Sequence, residues 1–228
     1  MRNIAYLAGI VLTIAVASHF AFDVTRAGST KVFLIMAVPT VALAIAGVVR
    51  AANDGVLKEW TRTRSGDFTR GFAAAAVLFG ACFAFTRTFM PLHSDRSSWL
   101  ARLYLQLGDP ATLRQSVAWV VLAIVVLAVS EELLWRGLVT SLLEELIGSR
   151  RAWVWAAVLY ALAQVPTVWA LRDPVAGPNP LILMIALAAG LVWGGMARKF
   201  GRLLPGVFSH VLFLWTVVMM FRLWGPSV

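Results

Sequence analysis

The feature that most constrains this chain is a series of seven long apolar segments. They cover approximately residues 3–22, 32–49, 71–90, 117–147, 152–171, 181–197 and 203–224. Runs of roughly 17–25 apolar residues are long enough to cross a bilayer core of about 30 Å as helices. They are much longer than the alternating segments of a membrane β-barrel. The sequence therefore predicts an all-α, polytopic transmembrane helical bundle of about seven spans.

Composition supports this class and excludes others. The chain is 60% hydrophobic and 14% charged, with a mean hydropathy of +0.80, which is too apolar for a disordered chain or an ordinary soluble domain. The net charge of +9 raises the question of a nucleic-acid partner. However, the basic residues lie between the apolar runs and form no stripe interleaved with exposed aromatic residues. We expect them to face anionic lipid at the bilayer surface, and we expect no nucleic-acid partner.

The basic loops predict an orientation in the membrane. Clusters of Arg and Lys occur at 50–70, 150–151 and 198–202, and the positive-inside rule puts all three in the cytoplasm if the N-terminus is cytoplasmic. The 87–114 segment is discordant because its four arginines would lie outside. Part of it, Trp99–Leu107, is a candidate interfacial amphipathic helix. Arginine outnumbers lysine by 17 to 3, a bias compatible with a bacterial genome, so we expect a multi-pass protein of the bacterial inner membrane.

The most informative motif is Ser-Glu-Glu-Leu-Leu-Trp-Arg-Gly at 130–137, which follows fourteen uncharged residues. Ionisable groups at membrane depth are costly and indicate a functional site. Glu132 and Arg136 are four residues apart, so they share a helix face and can form an ion pair. Glu131 points about 100° away and has no local partner. A carboxylate in an apolar, partly hydrated site can act as a general base or acid near neutral pH.

This pattern resembles the first motif of the CAAX protease and bacteriocin-processing (CPBP) intramembrane endopeptidases, which include the Rce1-type prenyl-protein proteases. The resemblance covers roughly residues 115–215. It implies that Glu131 activates water and that Glu132 and Arg136 organise the site. It also divides a single integrated membrane domain into N-terminal helices and loops, 1–114, and a CPBP-like catalytic core, 115–228.

Two further motifs of the family are altered in this sequence. The family has an aromatic-x-x-x-His motif, where this chain has Tyr160 and Gln164, and a His-x-x-x-Asn or Asp motif, where it has His210 and Leu214. Glutamine can position a water or the substrate, but it cannot accept a proton near neutral pH. Leucine donates no hydrogen bond, and loss of one oxyanion donor can cost ~10²–10³ in rate. Glu131 would then act alone or with His210.

The resemblance implies a glutamic-type endopeptidase that hydrolyses a peptide bond in a membrane-embedded protein or a lipid-anchored peptide. In a bacterium, leader peptides, anchored regulators or sorting tails are more suitable substrates than prenylated proteins. No cofactor is implied. Glu131, Glu132 and His210 could form a loose metal site, but no ligand spacing demands one. Two alternatives remain at this stage: a pseudoprotease that binds or assists processing of membrane proteins, and a proton-coupled transporter subunit.

The ten tryptophans are expected to be largely interfacial anchors and packing residues. The positions near the ends of predicted spans that support this interpretation are Trp153, Trp155, Trp169 and Trp224.

Overall fold

The computed structural model describes residues 2–108 and 110–220, and within them the chain is helical, with a single isolated bridge between Asp173 and Gly177. The helices are α1 (Arg2–Ala21), α2 (Lys31–Asn53), α3 (Leu57–Trp60), α4 (Asp67–Phe89), α5 (Ser97–Leu107), α6 (Pro110–Gln115), α7 (Val117–Glu132), α8 (Thr140–Ile147), α9 (Ser149–Leu162), α10 (Val165–Ala170), α11 (Leu181–Phe200) and α12 (Leu204–Trp215). A 3₁₀ turn covers Val24–Arg26, and π-helical segments cover Leu133–Val139 and Thr216–Met220.

Six of the helical segments in the described residues are long and apolar enough to cross a membrane. They are Arg2–Ala21, Lys31–Asn53, Asp67–Phe89, Val117–Ile147, Ser149–Ala170 and Leu181–Phe200. A seventh, shorter apolar helix covers Leu204–Met219. The prediction of a polytopic helical bundle is therefore confirmed. The end of the last predicted segment, beyond residue 220, lies outside the described residues.

The three basic clusters lie at one end of the bundle, which we call the basic end. There, an Arg198 guanidinium nitrogen donates to the backbone carbonyl of Arg150 at 2.6 Å. The start of α1 is at the same end, since Asn3 Nδ2 donates to Glu145 Oε2 at 2.6 Å. This arrangement is what the predicted topology requires, and the side of the membrane that the basic end faces remains a prediction.

Helix α5 closes the opposite end of the bundle. Its apolar face, including Leu100 and Leu103, is buried. Gln106 Nε2 donates to the backbone carbonyls of Ala21 and Asp23 at 3.0 and 3.1 Å, which ties α5 to the end of α1. An amphipathic helix was predicted in this segment, and the structure shows that its apolar side packs on the other helices.

The helix that carries the acidic motif changes its winding directly after the two carboxylates. From Leu133 to Val139 the backbone is π-helical, and the Thr140 N–H donates to the Trp135 carbonyl five residues earlier. Segments of this kind interrupt α-helices frequently at functional sites. The motif helix packs between α2 and α12, and α9 contacts its π-helical segment. The motif helix, α9 and α12 therefore meet in one region of the bundle.

The tryptophans do not share one environment. Trp155 and Trp169 are exposed on the bundle surface, as expected of residues that meet lipid or its interface. Trp153 packs beside Gly194 of α11, and Trp224 lies outside the described residues. Trp193 is fully buried, and its contacts belong to the site described next.

Candidate active site

The structure gathers all six residues that the sequence singled out into one buried polar cluster. The motif helix and its π-helical segment supply three of them, α9 and the turn after it supply two, and α12 supplies one. The six are Glu131, Glu132, Arg136, Tyr160, Gln164 and His210, each at most 8% exposed. Ionisable side chains this deeply buried require partners, and the partners differ between the two glutamates.

Glu131 faces α9 and α12. The Tyr160 hydroxyl donates to Glu131 Oε2 at 2.8 Å. His210 Nε2 lies 3.4 Å from the same oxygen. Glu131 therefore has one neutral donor and one imidazole beside it, and no cation of arginine or lysine pairs with it among the described residues.

Glu132 faces the arginine of its own helix and the other side of the imidazole. The Arg136 guanidinium lies 3.1 Å from Glu132 Oε1, so the predicted ion pair is confirmed. His210 Nδ1 lies 2.9 Å from the same oxygen. Nδ1 therefore faces Glu132, and Nε2 is turned toward Glu131. The imidazole thus bridges the two carboxylates.

Aromatic rings hold Arg136 and His210 in place. The Arg136 guanidinium lies 4.9 Å from the Tyr160 ring centroid and 5.1 Å from that of Trp193, within cation–π range. Trp193 also stacks on His210, with ring centroids 3.7 Å apart and an interplanar angle of 21°. Its indole N–H donates to the Ser209 hydroxyl at 3.0 Å. Sequence reasoning missed Trp193 and Ser209. The sequence feature that could have indicated Trp193 is its position inside an apolar helix and not at the end of one.

A glycine allows the first turn of α12 to approach Glu132. A Cβ atom built on Gly206 would lie 3.0 Å from Glu132 Oε2, closer than most side chains allow. The carboxylate is therefore next to the N-terminal turn of a twelve-residue helix, where the partial positive charge of the helix dipole favours an anion. The glycine at 206 thus has a steric reason.

Glu131 lines a partly open cavity of about 160 Å³, and Glu132 does not. Tyr160, Gln164 and His210 line the same cavity, and the rest of its wall is apolar apart from backbone. This volume is large enough for several water molecules. One wall carries Leu214, at the position where the family has a polar residue. The cavity therefore exposes one carboxylate, one imidazole, one phenol and one amide to its contents.

Gln164 is held by the first helix of the chain. The Ser18 hydroxyl donates to Gln164 Oε1 at 3.1 Å, and both side chains are buried. The Gln164 side chain lines the cavity, and its amide nitrogen is its remaining polar group. Residues from the N-terminal helices thus take part in shaping the site.

A metal-binding geometry is not formed by these side chains. Within residues 2–108 and 110–220, no three His, Cys, Asp or Glu side chains are placed to hold one ion. The reason in the cluster is that His210 directs its two ring nitrogens at different carboxylates. The loose site considered from the sequence, Glu131, Glu132 and His210, is therefore not arranged around one point.

Comparison with known proteins gives a match to a protein family. Residues 113–216 match the family described as Rce1-like, type II CAAX prenyl endopeptidase. No curated protein and no solved structure matches the chain. The matched range contains the six residues of the cluster and ends just after α12. It confirms the resemblance seen in the acidic motif and supports a protease-like membrane enzyme at the level of the family: residues 113–216 of this multi-pass membrane protein are similar to the Rce1-like family.

Proposed function

We propose that the chain is a glutamic-type intramembrane endopeptidase in which Glu131 activates a water molecule. One observation carries the proposal. Of the two adjacent glutamates, Glu131 lines the cavity while Glu132 is engaged by Arg136 and His210. A general base must reach the water whose proton it removes, and Glu131 is the carboxylate in that position.

The reaction follows from the placement of these groups. A water in the cavity gives a proton to Glu131 while its oxygen adds to the scissile carbonyl carbon. As the tetrahedral intermediate collapses, the C–N bond breaks and Glu131 returns the proton to the leaving nitrogen. His210 assists because Glu132 fixes its Nδ1 at 2.9 Å and so directs Nε2 at the reacting side. Glu132 and Arg136 shape and hold the cavity wall.

Two substituted motif positions have definite consequences for rate. Gln164 lines the cavity and positions the water or the substrate carbonyl through its amide, without taking part in proton transfer. Leu214 also lines the cavity and offers no hydrogen bond to an oxyanion. Stabilisation of the developing negative charge then falls to Tyr160, Gln164 and His210. We expect a slow enzyme, because loss of one oxyanion donor alone can cost ~10²–10³ in rate.

The cavity also indicates the class of substrate. Its apolar walls lie among the membrane-spanning helices, so the substrate is a membrane-embedded protein or a lipid-anchored peptide that reaches the site from the bilayer. The proposed location is the inner membrane of a bacterium, with the N-terminus and the basic end in the cytoplasm, because that orientation satisfies the positive-inside rule.

The test compares protein termini in membrane and secreted proteomes of four strains: the wild type, a deletion, Glu131→Gln and Glu144→Gln. Glu144 is an exposed glutamate farther along the same helical segment, so its change is the matched control. We expect the same termini to disappear in the deletion and Glu131→Gln strains, since a general base contributes about 10²–10⁴ in rate. Glu144→Gln should leave them unchanged. Retained cleavage in Glu131→Gln would contradict the glutamate mechanism.

A catalytically impaired pseudoprotease is the second candidate, and the side chains of Gln164 and Leu214 on the cavity wall favour it. In that case termini would change on deletion but not in Glu131→Gln, because the protein would bind its client without cutting it. A proton-coupled transporter subunit would instead show proton or solute flux in liposomes that Glu131→Gln abolishes.

A further inference from the structure

A tryptophan outside the family-matched region contacts the motif helix beside its arginine. The ring of Trp60, at the end of α3, covers Gly137 so closely that a Cβ built there would lie 2.6 Å from ring atom Cζ3 and 2.8 Å from Cη2. Because residue 137 has no side chain, the indole ring of Trp60 can occupy the space beside it. Gly137 follows Arg136 directly and lies in the π-helical segment.

The backbone of the same tryptophan contacts the helix that carries the histidine. The Leu203 N–H donates to the Trp60 carbonyl at 3.0 Å. Leu203 is buried and immediately precedes α12. The first N–H groups of a helix lack partners within it, so this bond fixes the start of α12 against α3.

We infer that Trp60 is a positioning residue that sets the distance between the motif helix and α12. Its ring bears on the π-helical segment that directly follows Glu131 and Glu132, and its carbonyl holds the helix of His210. This goes beyond the proposed reaction, and its effect on cleavage rests on that proposed function.

The separation of these two helices determines the contacts of the imidazole. His210 reaches Glu132 at 2.9 Å and Glu131 at 3.4 Å from its two ring nitrogens. A small shift of α12 would lengthen one of these contacts or both. Because a displacement of 1 Å in a catalytic arrangement can cost about 10²-fold in rate, the Trp60 contact is expected to influence activity from the basic end of the bundle.

The first experiment measures the contact through coupled variants of the whole protein. Gly137→Ala places a methyl group where the ring lies, and Trp60→Ala removes the ring. The substrate is the protein whose termini disappear in the proteome comparison. We expect each change to lower the rate at which it is cleaved by about 10- to 10²-fold. The double variant should cleave at least about threefold faster than the rate expected if the two single effects simply multiply. The reason is that the methyl group at position 137 enters the space that the Trp60 ring has left. Independent, multiplicative effects would overturn the inference.

Conservative and matched variants separate positioning from general packing. Trp60→Phe keeps an aromatic ring over Gly137 and the same backbone carbonyl, so it should retain most activity. Trp155→Ala removes an exposed tryptophan from α9 and should leave cleavage unchanged. If Trp60→Phe lost as much activity as Trp60→Ala, the ring contact would not be what positions the helices.

The second experiment needs no substrate. In protein labelled with 5-fluorotryptophan, the ¹⁹F resonance of Trp193, assigned with Trp193→Phe, reports the stacking on His210. Both Trp60→Ala and Gly137→Ala should shift this resonance, and Trp155→Ala should not. An unchanged resonance in both folded variants would overturn the inference. A shift in a protein that cleaves nothing would support the inference and contradict the proposed function, so the two failures are distinguishable.

Discussion

Two buried acid–arginine pairs in this chain differ in how completely their hydrogen bonds are made. At the basic end, Arg202 binds Asp67 with two nitrogens, and its Nε lies 2.9 and 3.1 Å from the two carboxylate oxygens. Asp67 also accepts the backbone N–H of Arg64 at 2.8 Å. The third guanidinium nitrogen donates to the Phe200 carbonyl at 2.9 Å. The hydrogen bonds to Asp67 raise the pKa of Arg202 above its ordinary value.

The pair in the candidate site is less complete. The Arg136 guanidinium lies 3.1 Å from Glu132, but in the described residues no acceptor is aligned with either of its terminal nitrogens. The contact is thus an ion pair and not a well-directed hydrogen bond. Glu132 Oε2 likewise has no hydrogen-bond donor among the described residues. Aromatic rings surround the cation instead.

The difference separates a pair that stabilises the fold from one that serves the site. Buried polar groups are normally satisfied, and exceptions need an explanation. A buried ion pair with incomplete hydrogen bonding contributes little stability and can be worse than neutral groups of similar size. Asp67 and Arg202 hold the start of α4 against the turn before α12. Glu132 and Arg136 hold His210 and the cavity wall at some cost in stability.

Among the changes that test this comparison, neutralising the site pair has the largest expected effect. Glu132→Gln with Arg136→Met keeps the volumes but removes both charges, and Met remains between the Tyr160 and Trp193 rings. We expect cleavage to fall by about 10²-fold or more as His210 loses its anionic partner. The melting temperature in detergent should change little, because removing both charges together leaves no uncompensated buried charge.

The control for this variant is Glu144→Gln, which changes an exposed glutamate on the same helical segment. It should alter neither the melting temperature nor the cleavage rate. A marked fall in melting temperature of the double variant would contradict the comparison, because it would show that the site pair also stabilises the fold.

Sequence reasoning reached the parts of this arrangement that depend on local spacing. Apolar segment length predicts the spans, and the four-residue spacing of Glu132 and Arg136 predicts their ion pair. The helix geometry also separates Glu131 from that pair, as the cavity lining shows. These features follow from one helix at a time.

The contacts between distant parts of the chain were not predictable in this way. Asp67 and Arg202 are 135 residues apart, and nothing in the sequence around either residue indicates the other. Tryptophans in membrane proteins are mostly interfacial, so composition gave no reason to place Trp193 against His210. Trp60 contacts Gly137 only because the end of α3 lies against the π-helical segment. Such contacts depend on helix packing.

Neutralising Asp67 and Arg202 at the basic end should affect cleavage less than neutralising the site pair, and it should clearly lower the stability of the fold. Asp67→Asn with Arg202→Met removes a network that is fully hydrogen-bonded, so the melting temperature should fall by several degrees. Cleavage per folded molecule should change little, because neither residue contacts the cavity. Thermal unfolding in detergent and cleavage normalised to folded protein measure the two effects.

The matched control is Asp54→Asn. The Asp54 carboxylate lies 3.4 Å from Arg50, and both side chains are partly exposed at the end of α2. Exposed pairs of this kind contribute little, so the melting temperature should not change. Loss of cleavage in folded Asp67→Asn/Arg202→Met protein would mean that the basic end also sets the site geometry, beyond the contact made by Trp60.

The smallest expected effects come from adding one methyl group on each side of α12. A Cβ on Gly71 of α4 would lie 2.8 Å from the Pro205 carbonyl oxygen, a backbone atom, whereas on Gly206 it would lie 3.0 Å from the end of the Glu132 side chain. Backbone cannot yield without separating α4 from α12, so Gly71→Ala should lower the melting temperature more. The Glu132 carboxylate can rotate, so Gly206→Ala should keep the fold and lower cleavage by about tenfold or less.

Gly80→Ala is the control, because there is open space around its Cβ. It should leave cleavage unchanged and either leave stability unchanged or raise it by up to about 1 kcal/mol. If Gly206→Ala destabilised the protein more than Gly71→Ala, the division between a stabilising region and a functional one would not hold at α12.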